Sequence, residues 1–115
     1  MTIEQDLYNA LDGLASGRVY PLVMPEKGTV PAIVYTRIAS TPENTLDGGA
    51  TIDQIRFQVD TYAKTYAEAK TLANSVRAVM ESASFKGTLQ TDQDLFEPDV
   101  KLYRVTQDYY VWKRS

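Results

Sequence analysis

Cysteine and histidine are both missing from this sequence. Without cysteine, the chain cannot form disulfides, a thiolate nucleophile or a zinc site built on thiolates. Without histidine, it cannot form the Ser-His-Asp and Cys-His arrangements of hydrolases, nor an imidazole metal site. Catalysis would therefore rest on carboxylates, lysine, tyrosine and hydroxyl groups, which excludes most familiar enzyme sites.

Long hydrophobic runs and an excess of positive charge are missing as well. No apolar run approaches the roughly 18–20 residues that span a bilayer, and residues 1–6 are too acidic and polar for a signal peptide. The 12 Lys and Arg residues against 15 Asp and Glu give a net charge of −3, whereas a dedicated nucleic-acid-binding domain needs a basic face. We expect a protein made in the cytoplasm, with no membrane or sequence-specific DNA partner.

The length and composition are those of one globular domain. The chain has 115 residues, of which 43% are hydrophobic and 23% are charged. Domains are commonest at about 100–150 residues. We therefore predict a single domain over residues 1–115, with a core that needs no disulfide or metal to stabilise it.

Two segments have the apolar spacing of amphipathic helices. Each begins with a capping box, Thr2 with Gln5 in the first and Thr65 with Glu68 in the second, and Gly17 suits the end of the first helix. The apolar stripe of the first helix consists of Ile3, Leu7, Ala10, Leu11 and Leu14. The apolar face of the second helix consists of Ala69, Leu72, Ala73, Val76, Val79, Met80 and Ala83.

Three segments between the helices indicate β-strands. Residues 18–21 predict a short strand that its proline keeps out of the sheet interior, and residues 32–38, apolar on both faces, predict an inner strand. Residues 51–62 alternate polar and apolar side chains, as in a half-buried strand. Ile52 breaks this alternation, which predicts a bulge or a later strand start. The segment Ser40–Gly49 is rich in turn formers and predicts a long loop.

The chain after the second helix predicts a hairpin-like region and a last strand. Residues 88–99 carry four carboxylates, and residues 100–113 alternate in the pattern of a strand. The resulting order, α-β-β-β-α-β-β, lacks the regular strand–helix alternation of a doubly wound sheet. It predicts an α+β fold in which two helices pack on one face of a mainly antiparallel, or mixed, β-sheet.

Asp92, Asp94, Glu97 and Asp99 form the carboxylate cluster of the sequence. Their oxygens could bind Ca²⁺ or Mg²⁺, or serve as an acid/base pair. However, the spacing lacks the glycine and the final glutamate of an EF-hand loop, and Pro98 stiffens its end. We favour a solvated acidic loop without a specific metal.

Two further features have more than one interpretation. The loop Ser40–Gly49, whose glycine pair lacks the context of a phosphate-binding loop, is either a tolerated insertion or a contact arm. Aromatic and basic residues are interleaved near the end of the chain, which could stack the bases of single-stranded nucleic acid. Because the net charge is negative, we favour a role for these aromatics in the sheet and a subunit interface.

Four stretches of the sequence resemble the tail-completion, or tail terminator, family of long-tailed bacteriophages. They are residues 18–21 (Arg-Val-Tyr-Pro), residues 31–35 with Ser40, residues 58–69, and residues 102–104 with 107–109 and Trp112. No single motif is specific, but the stretches occur in order and with compatible spacing over nearly the whole chain. Residues 85–99 match least.

The resemblance implies a structural protein of the virion neck, with no catalytic, metal-binding or cofactor-binding residues. Proteins of this family are small α+β domains that form a hexameric ring on the end of the tail tube, stop its growth and present a surface for joining the head-completion or connector proteins. The resemblance also implies that DNA passes through the lumen without specific binding, and that assembly takes place in the host cytoplasm. The candidate contacts with a neighbouring subunit or the tail tube are Thr41, Glu43, Asn44, Leu46, Asp47, Tyr110 and Trp112.

Two other classes of function stay open. One is a small-ligand or regulatory binding domain, which a closed apolar pocket would favour. The other is a hydrolase that depends on a divalent ion and uses the carboxylates between Asp92 and Asp99. Its activity would be lost when Asp92 and Asp94 are substituted.

Overall fold

The computed structural model describes residues 3–15, 18–21, 30–44, 51–82, 85, 87–99 and 101–114. Their order of elements is the predicted one, α-β-β-β-α-β-β. The elements are α1 (Ile3–Leu11), which continues as a 3₁₀ turn (Asp12–Ala15), β1 (Val19–Pro21), β2 (Ala32–Asn44), β3 (Thr51–Ala63), α2 (Tyr66–Met80), β4 (Thr88–Glu97) and β5 (Leu102–Arg114).

The five strands form one mixed sheet in the order β1-β2-β3-β5-β4. β1 pairs parallel with β2, and the other three pairs are antiparallel. β1 contacts only residues 33–35 of β2 and ends at Pro21, so the prediction of a short strand outside the sheet interior is confirmed. The last strand of the chain, β5, inserts between β3 and β4, so the sheet order differs from the chain order.

Both helices pack on the same face of the sheet. A continuous hydrophobic core joins the buried side chains of α1, α2 and the central strands. Its members include Leu7, Leu11, Ile33, Phe57, Val59, Leu72, Val76, Met80, Tyr109 and Val111. Because complete burial of one such side chain contributes about 1.5–3 kcal/mol, this layer is the main source of stability, and the predicted α+β architecture is confirmed.

The ends of α2 are fixed by its own polar groups. The backbone N–H of Glu68 donates to Thr65 Oγ1 at 3.2 Å, as the capping box predicts. After Met80, the N–H of Gly87 donates to the Met80 carbonyl at 2.7 Å. A Cβ at Gly87 would lie 2.5 Å from that carbonyl oxygen, so the close approach requires glycine there. Ala83, predicted on this helix, lies outside the described residues.

The predicted stripe of α1 is confirmed where the side chains are described. Leu7 and Leu11 are buried, and Ala10 and Leu14 pack against the core. The predicted cap residues Thr2 and Gly17, and the side chain of Ile3, lie outside the described residues.

The predicted loop Ser40–Gly49 is wrong over its first half. β2 continues to Asn44, which pairs with Thr51 of β3, because the backbone hydrogen bonds of a hairpin outweigh the weak strand preference of these residues. Pro42 lies on the outer edge of β2, where its missing N–H breaks no bond to β3. Residues 45–50 lie outside the described part of the chain.

Two further predictions from the sequence are corrected. The acidic stretch from Asp92 to Asp99 is not a loop, since residues up to Glu97 form the edge strand β4, paired along β5. The expected irregularity at Ile52 is also wrong, because β3 begins at Thr51 and Ile52 pairs regularly with Glu43. The bulge lies instead in β2, between Arg37 and Ala39.

Candidate functional site

The candidate contact residues converge on one end of the sheet. Here β2, β3 and β5 continue past the bulge as a three-stranded extension, which we call the distal arm: residues 39–44, 51–56 and 110–114. In the register, Thr41 pairs with Gln54, which in turn pairs with Trp112. Tyr110 pairs with Arg56, which in turn pairs with Ala39. Glu43 and Asn44 lie farther along the arm, where they pair with Ile52 and Thr51. The structure therefore brings five of the seven candidates together, and Leu46 and Asp47 lie outside the described residues.

The distal arm carries exposed apolar surface. Trp112 is 39% exposed, and Ile38, at the bulge that begins the arm, is 44% exposed. Trp112 lies on the same face of β5 as Asp108, the face opposite the helices. Large aromatic rings that remain accessible are enriched in protein interfaces, so this arm suits contact with another protein.

A network of charges crosses the centre of the helix-free face. Asp60 on β3 is only 4% exposed. Its carboxylate accepts hydrogen bonds from Thr106 Oγ1 at 2.8 Å and from Gln58 Nε2 at 3.1 Å, and it lies 3.2 Å from the Arg104 guanidinium. Arg104 also donates to Glu97 on β4 at 2.9 Å. The network therefore ties the three strands β3, β5 and β4 together.

The charges in this network are satisfied by one another. Burial disfavours the charge on Arg104, but hydrogen bonds to Glu97 and Asp60 outweigh burial and raise the pKa of its guanidinium. The guanidinium carbon also lies 5.7 Å from the centre of the Tyr62 ring, within cation–π range. Since Arg104 is occupied on three sides, it is poorly placed to contact nucleic acid, which weakens the base-stacking interpretation of β5.

The acidic cluster is divided by the strand geometry. Asp94 faces α2, where its carboxylate accepts from Tyr66 Oη at 2.7 Å and from Lys70 Nζ at 3.2 Å. Glu97 lies on the opposite face beside Arg104. Within the described part of the chain, no group of three acidic residues is arranged to hold a metal ion. The lack of a specific metal site in the whole chain stays a prediction.

Among the described residues, neither Asp94 nor the groove beside α1 favours one of the two alternative functions. The hydrogen bond from Tyr66, together with Lys70, lowers the pKa of Asp94, whereas a general acid needs a raised pKa. A shallow groove between α1 and β2 is lined by Glu4, Gln5, Tyr8, Asn9 and Tyr35. It is open and partly polar, unlike the closed apolar pocket of a small-ligand domain.

Asp60 is the residue of this face that sequence reasoning missed. The alternation of β3 places Asp60 among polar positions, but its partner Arg104 is 44 residues away in the chain. Only the register between β3 and β5 brings the two together.

None of the helices in the described ranges is long and apolar enough to cross a membrane.

The fold defines a class: an α+β domain in which one face of a five-stranded mixed sheet is covered by two helices. The chain belongs to the family of tail completion protein gp17, which matches residues 7–114. The resemblance inferred from the sequence is thereby confirmed, and the protein is a structural component of a phage-like tail and belongs in the virion.

Solved structures show the same fold. Among 27 similar chains, one comes from a structure described as "Virion of native gene transfer agent (GTA) particle". It is 17% identical, with a TM-score of 0.65, and the match covers 95% of this chain and 92% of that one. No curated protein sequence matches the chain.

Proposed function

We propose that this protein assembles into a closed ring, a hexamer, on the head-proximal end of the tail tube. There it stops tube growth and provides the surface to which the head-completion or connector proteins join. The observation that carries the proposal is membership of the tail completion family over residues 7–114. Assembly itself requires no chemistry, and we assign the protein no catalytic residue, metal or cofactor.

The shape of the molecule supports contact through the distal arm. β2 and β3 have 13 residues each and are therefore about 43 Å long, whereas the 15 residues of α2 span only about 22 Å. The longest dimension of the molecule is 52 Å. The sheet therefore extends past the helical layer, and the arm can reach a neighbouring subunit or the tube while the domain core stays intact.

The charges of the helix-free face support a passage for DNA without specific binding. Arg56 pairs with Asp108 at 3.2 Å, and Arg104 pairs with Asp60 and Glu97. A surface that binds DNA tightly needs cations free to replace the counterions of the phosphates. Arginines already paired with carboxylates, in a chain of net charge −3, favour a lumen that lets DNA slide.

Shortening the distal arm tests the proposed contact. Thr41 and Gln54 are register partners, so a two-residue Asn-Gly turn can replace residues 42–53 and close a shorter hairpin. The described core residues lie outside this segment, so we expect a folded domain with a denaturation midpoint near that of the unmodified protein. We expect overlong tubes or unjoined heads in electron micrographs of the assembled particles.

A second variant removes the segment between the two strands and keeps the arm. Replacing only residues 44–51 by Asn-Gly closes the hairpin on the hydrogen-bonded Glu43–Ile52 pair and removes Asn44, Leu46 and Asp47. A defect in both variants would assign the contact to residues 44–51, and a defect in the shorter arm alone would assign it to the strands. Normal, joined tails from both folded variants would contradict a role for the arm.

A further inference from the structure

The sheet ends in two long open edges. β4 is the last strand on one side, and no described strand pairs along its outer edge. On the other side, β1 covers β2 only as far as Tyr35. From Thr36 to Asn44, the outer edge of β2 has no partner strand among the described residues. Open edges offer unpaired backbone N–H and C=O groups to another strand.

The register identifies the backbone groups on each open edge. The N–H of Ile33 donates to Arg18, away from β3. Because hydrogen-bonding direction alternates along a strand, the register carried past the bulge turns the outer groups of Ser40, Pro42 and Asn44 away from β3. The same alternation, followed from β3 through β5 to β4, identifies the outer set on β4, the residues whose backbone groups point away from β5.

The outer set on β4 consists of Asp92, Asp94 and Phe96. Both edges have a regular stretch of similar length beyond a bulge. On β4 this stretch is residues 91–97, after the register shift between Leu89 and Thr91. On β2 it is residues 39–44. Two edges of matching length can therefore form one ladder.

We infer that β4 of one copy pairs with residues 39–44 of β2 in the next copy, so that one continuous sheet runs around the ring. This inference rests on the proposed function. Three successive antiparallel pairings make β2 and β4 run in opposite directions. Across β5, residues 91–96 of β4 lie beside residues 58–63 of β3, whereas residues 39–44 of β2 lie beside residues 51–56. The next copy is therefore displaced along the strands, and the strands tilt away from the ring axis, as the stagger of a closed sheet requires. In this arrangement β4 meets the neighbouring β2 antiparallel, the more stable pairing.

The charges and prolines of the edges favour unlike edges over like edges. Pairing β4 antiparallel with β4 of another copy would place Asp92 and Asp94 opposite each other, and like charges directly opposite destabilise a sheet. Pairing β2 with β2 would bring two copies of Pro42 into one ladder, each without a donor. β1 has only three residues. Repeating one contact between unlike edges is the arrangement that closes rings.

A cysteine pair tests this contact directly, because the chain has no cysteine of its own. With Asp92, Asp94 and Phe96 opposite Asn44, Pro42 and Ser40, the variants Gln93→Cys and Glu43→Cys face each other across two copies. Within one copy, β3 and β5 separate these positions by three strand spacings, about 14 Å, beyond the roughly 7 Å limit of a disulfide. Oxidised protein on tail tubes should give a ladder of linked multimers. If the register between β4 and the neighbouring β2 is shifted by two residues, Gln93→Cys should link to Thr41→Cys instead of Glu43→Cys.

Each cysteine alone serves as a control. Gln93→Cys by itself should stay monomeric on a non-reducing gel. A dimer from this single variant would mean that β4 pairs with β4, and it would overturn the inference.

Proline at the open edge gives an independent test. Asp92→Pro removes an outward N–H that contributes nothing to the β4–β5 ladder, whereas Asp92→Ala removes the same charge and keeps the N–H. We expect both variants to unfold at the temperature of the unmodified protein, and only Asp92→Pro to lose the ring on tubes.

The outcomes of these experiments distinguish a failure of the edge pairing from a failure of the proposed function. If the unmodified protein forms no ring on tubes, the proposed function fails. If it forms rings, while Asp92→Pro also forms them and the cysteine pairs stay unlinked, the edge pairing is wrong and the ring function stands.

Discussion

Asp60 and Arg104 show how single residues hold the helix-free face together. The carboxylate of Asp60 is nearly buried, and its charge is compensated by Arg104, Thr106 and Gln58. Removing one partner of a buried ion pair leaves an uncompensated charge, which costs more than the pair itself contributes. The stability of the strand order therefore depends on this pair more than on any ion pair at the surface.

Substitution of Arg104 tests this dependence. We expect Arg104→Met to destabilise the fold by about 3–5 kcal/mol, since Asp60 loses its compensating charge. The matched control is Arg77→Met, because both Arg77 and its partner Glu81 are exposed and such pairs contribute at most about 1 kcal/mol. Urea denaturation of both variants measures the difference. Equal losses would show that Asp60 is not effectively buried.

The hydroxyl of Tyr66 controls the titration of Asp94. Its hydrogen bond, with that of Lys70, lowers the pKa of this carboxyl from the ordinary value of 3.8. A carboxyl with a lowered folded pKa stabilises the fold above its unfolded pKa, and this contribution is lost as the pH falls through the folded pKa.

We therefore expect Tyr66→Phe to raise the pKa of Asp94 toward 3.8. Its stability deficit relative to the unmodified protein should be fully present at neutral pH and should disappear in acid, below the pKa of Asp94. Carbon-13 NMR titration of the side-chain carboxyl gives the pKa, and denaturation midpoints at several pH values give the deficit. An Asp94 pKa that does not move would contradict the assigned hydrogen bond.

Among the elements, α2 is the one that sequence reasoning defined best. Its capping box and its apolar spacing are local signals, and both correspond to the observed N-cap and the buried face. The limits of sequence reasoning appear in β2 and β4. Pro42 and Asn44 favour turns, and Asp92 and Asp94 disfavour strands, yet all four lie in strands because neighbouring strands supply the pairing.

The packing of α2 is tested by Leu72. This side chain is 8% exposed and belongs to the main core. We expect Leu72→Ala to cost about 2–5 kcal/mol through lost burial and the cavity left behind. Thr71→Ala, at the exposed neighbouring position, is the control and should change stability by less than about 0.5 kcal/mol. An unchanged midpoint for Leu72→Ala would mean that this face does not carry the core.

At the scale of the whole molecule, the fold class and element order follow from the sequence, and the sheet order does not. Alternating side chains identify a strand and its buried face, but they do not say which strand pairs with which. β5 lies between β3 and β4, and the pairs that matter at the candidate site, Asp60 with Arg104 and Gln54 with Trp112, follow from that placement. The family could be inferred from the sequence because the stretches that resemble it occur in order along the chain.

We propose that this protein terminates the tail tube and enables the tube to join the head. Electron microscopy of particles assembled without the protein, and again after adding it back, measures tube length and the fraction of tails joined to heads. We predict overlong, headless tubes without the protein and restored tails of uniform length with it. Tails of normal length, joined to heads in its complete absence, would contradict the account.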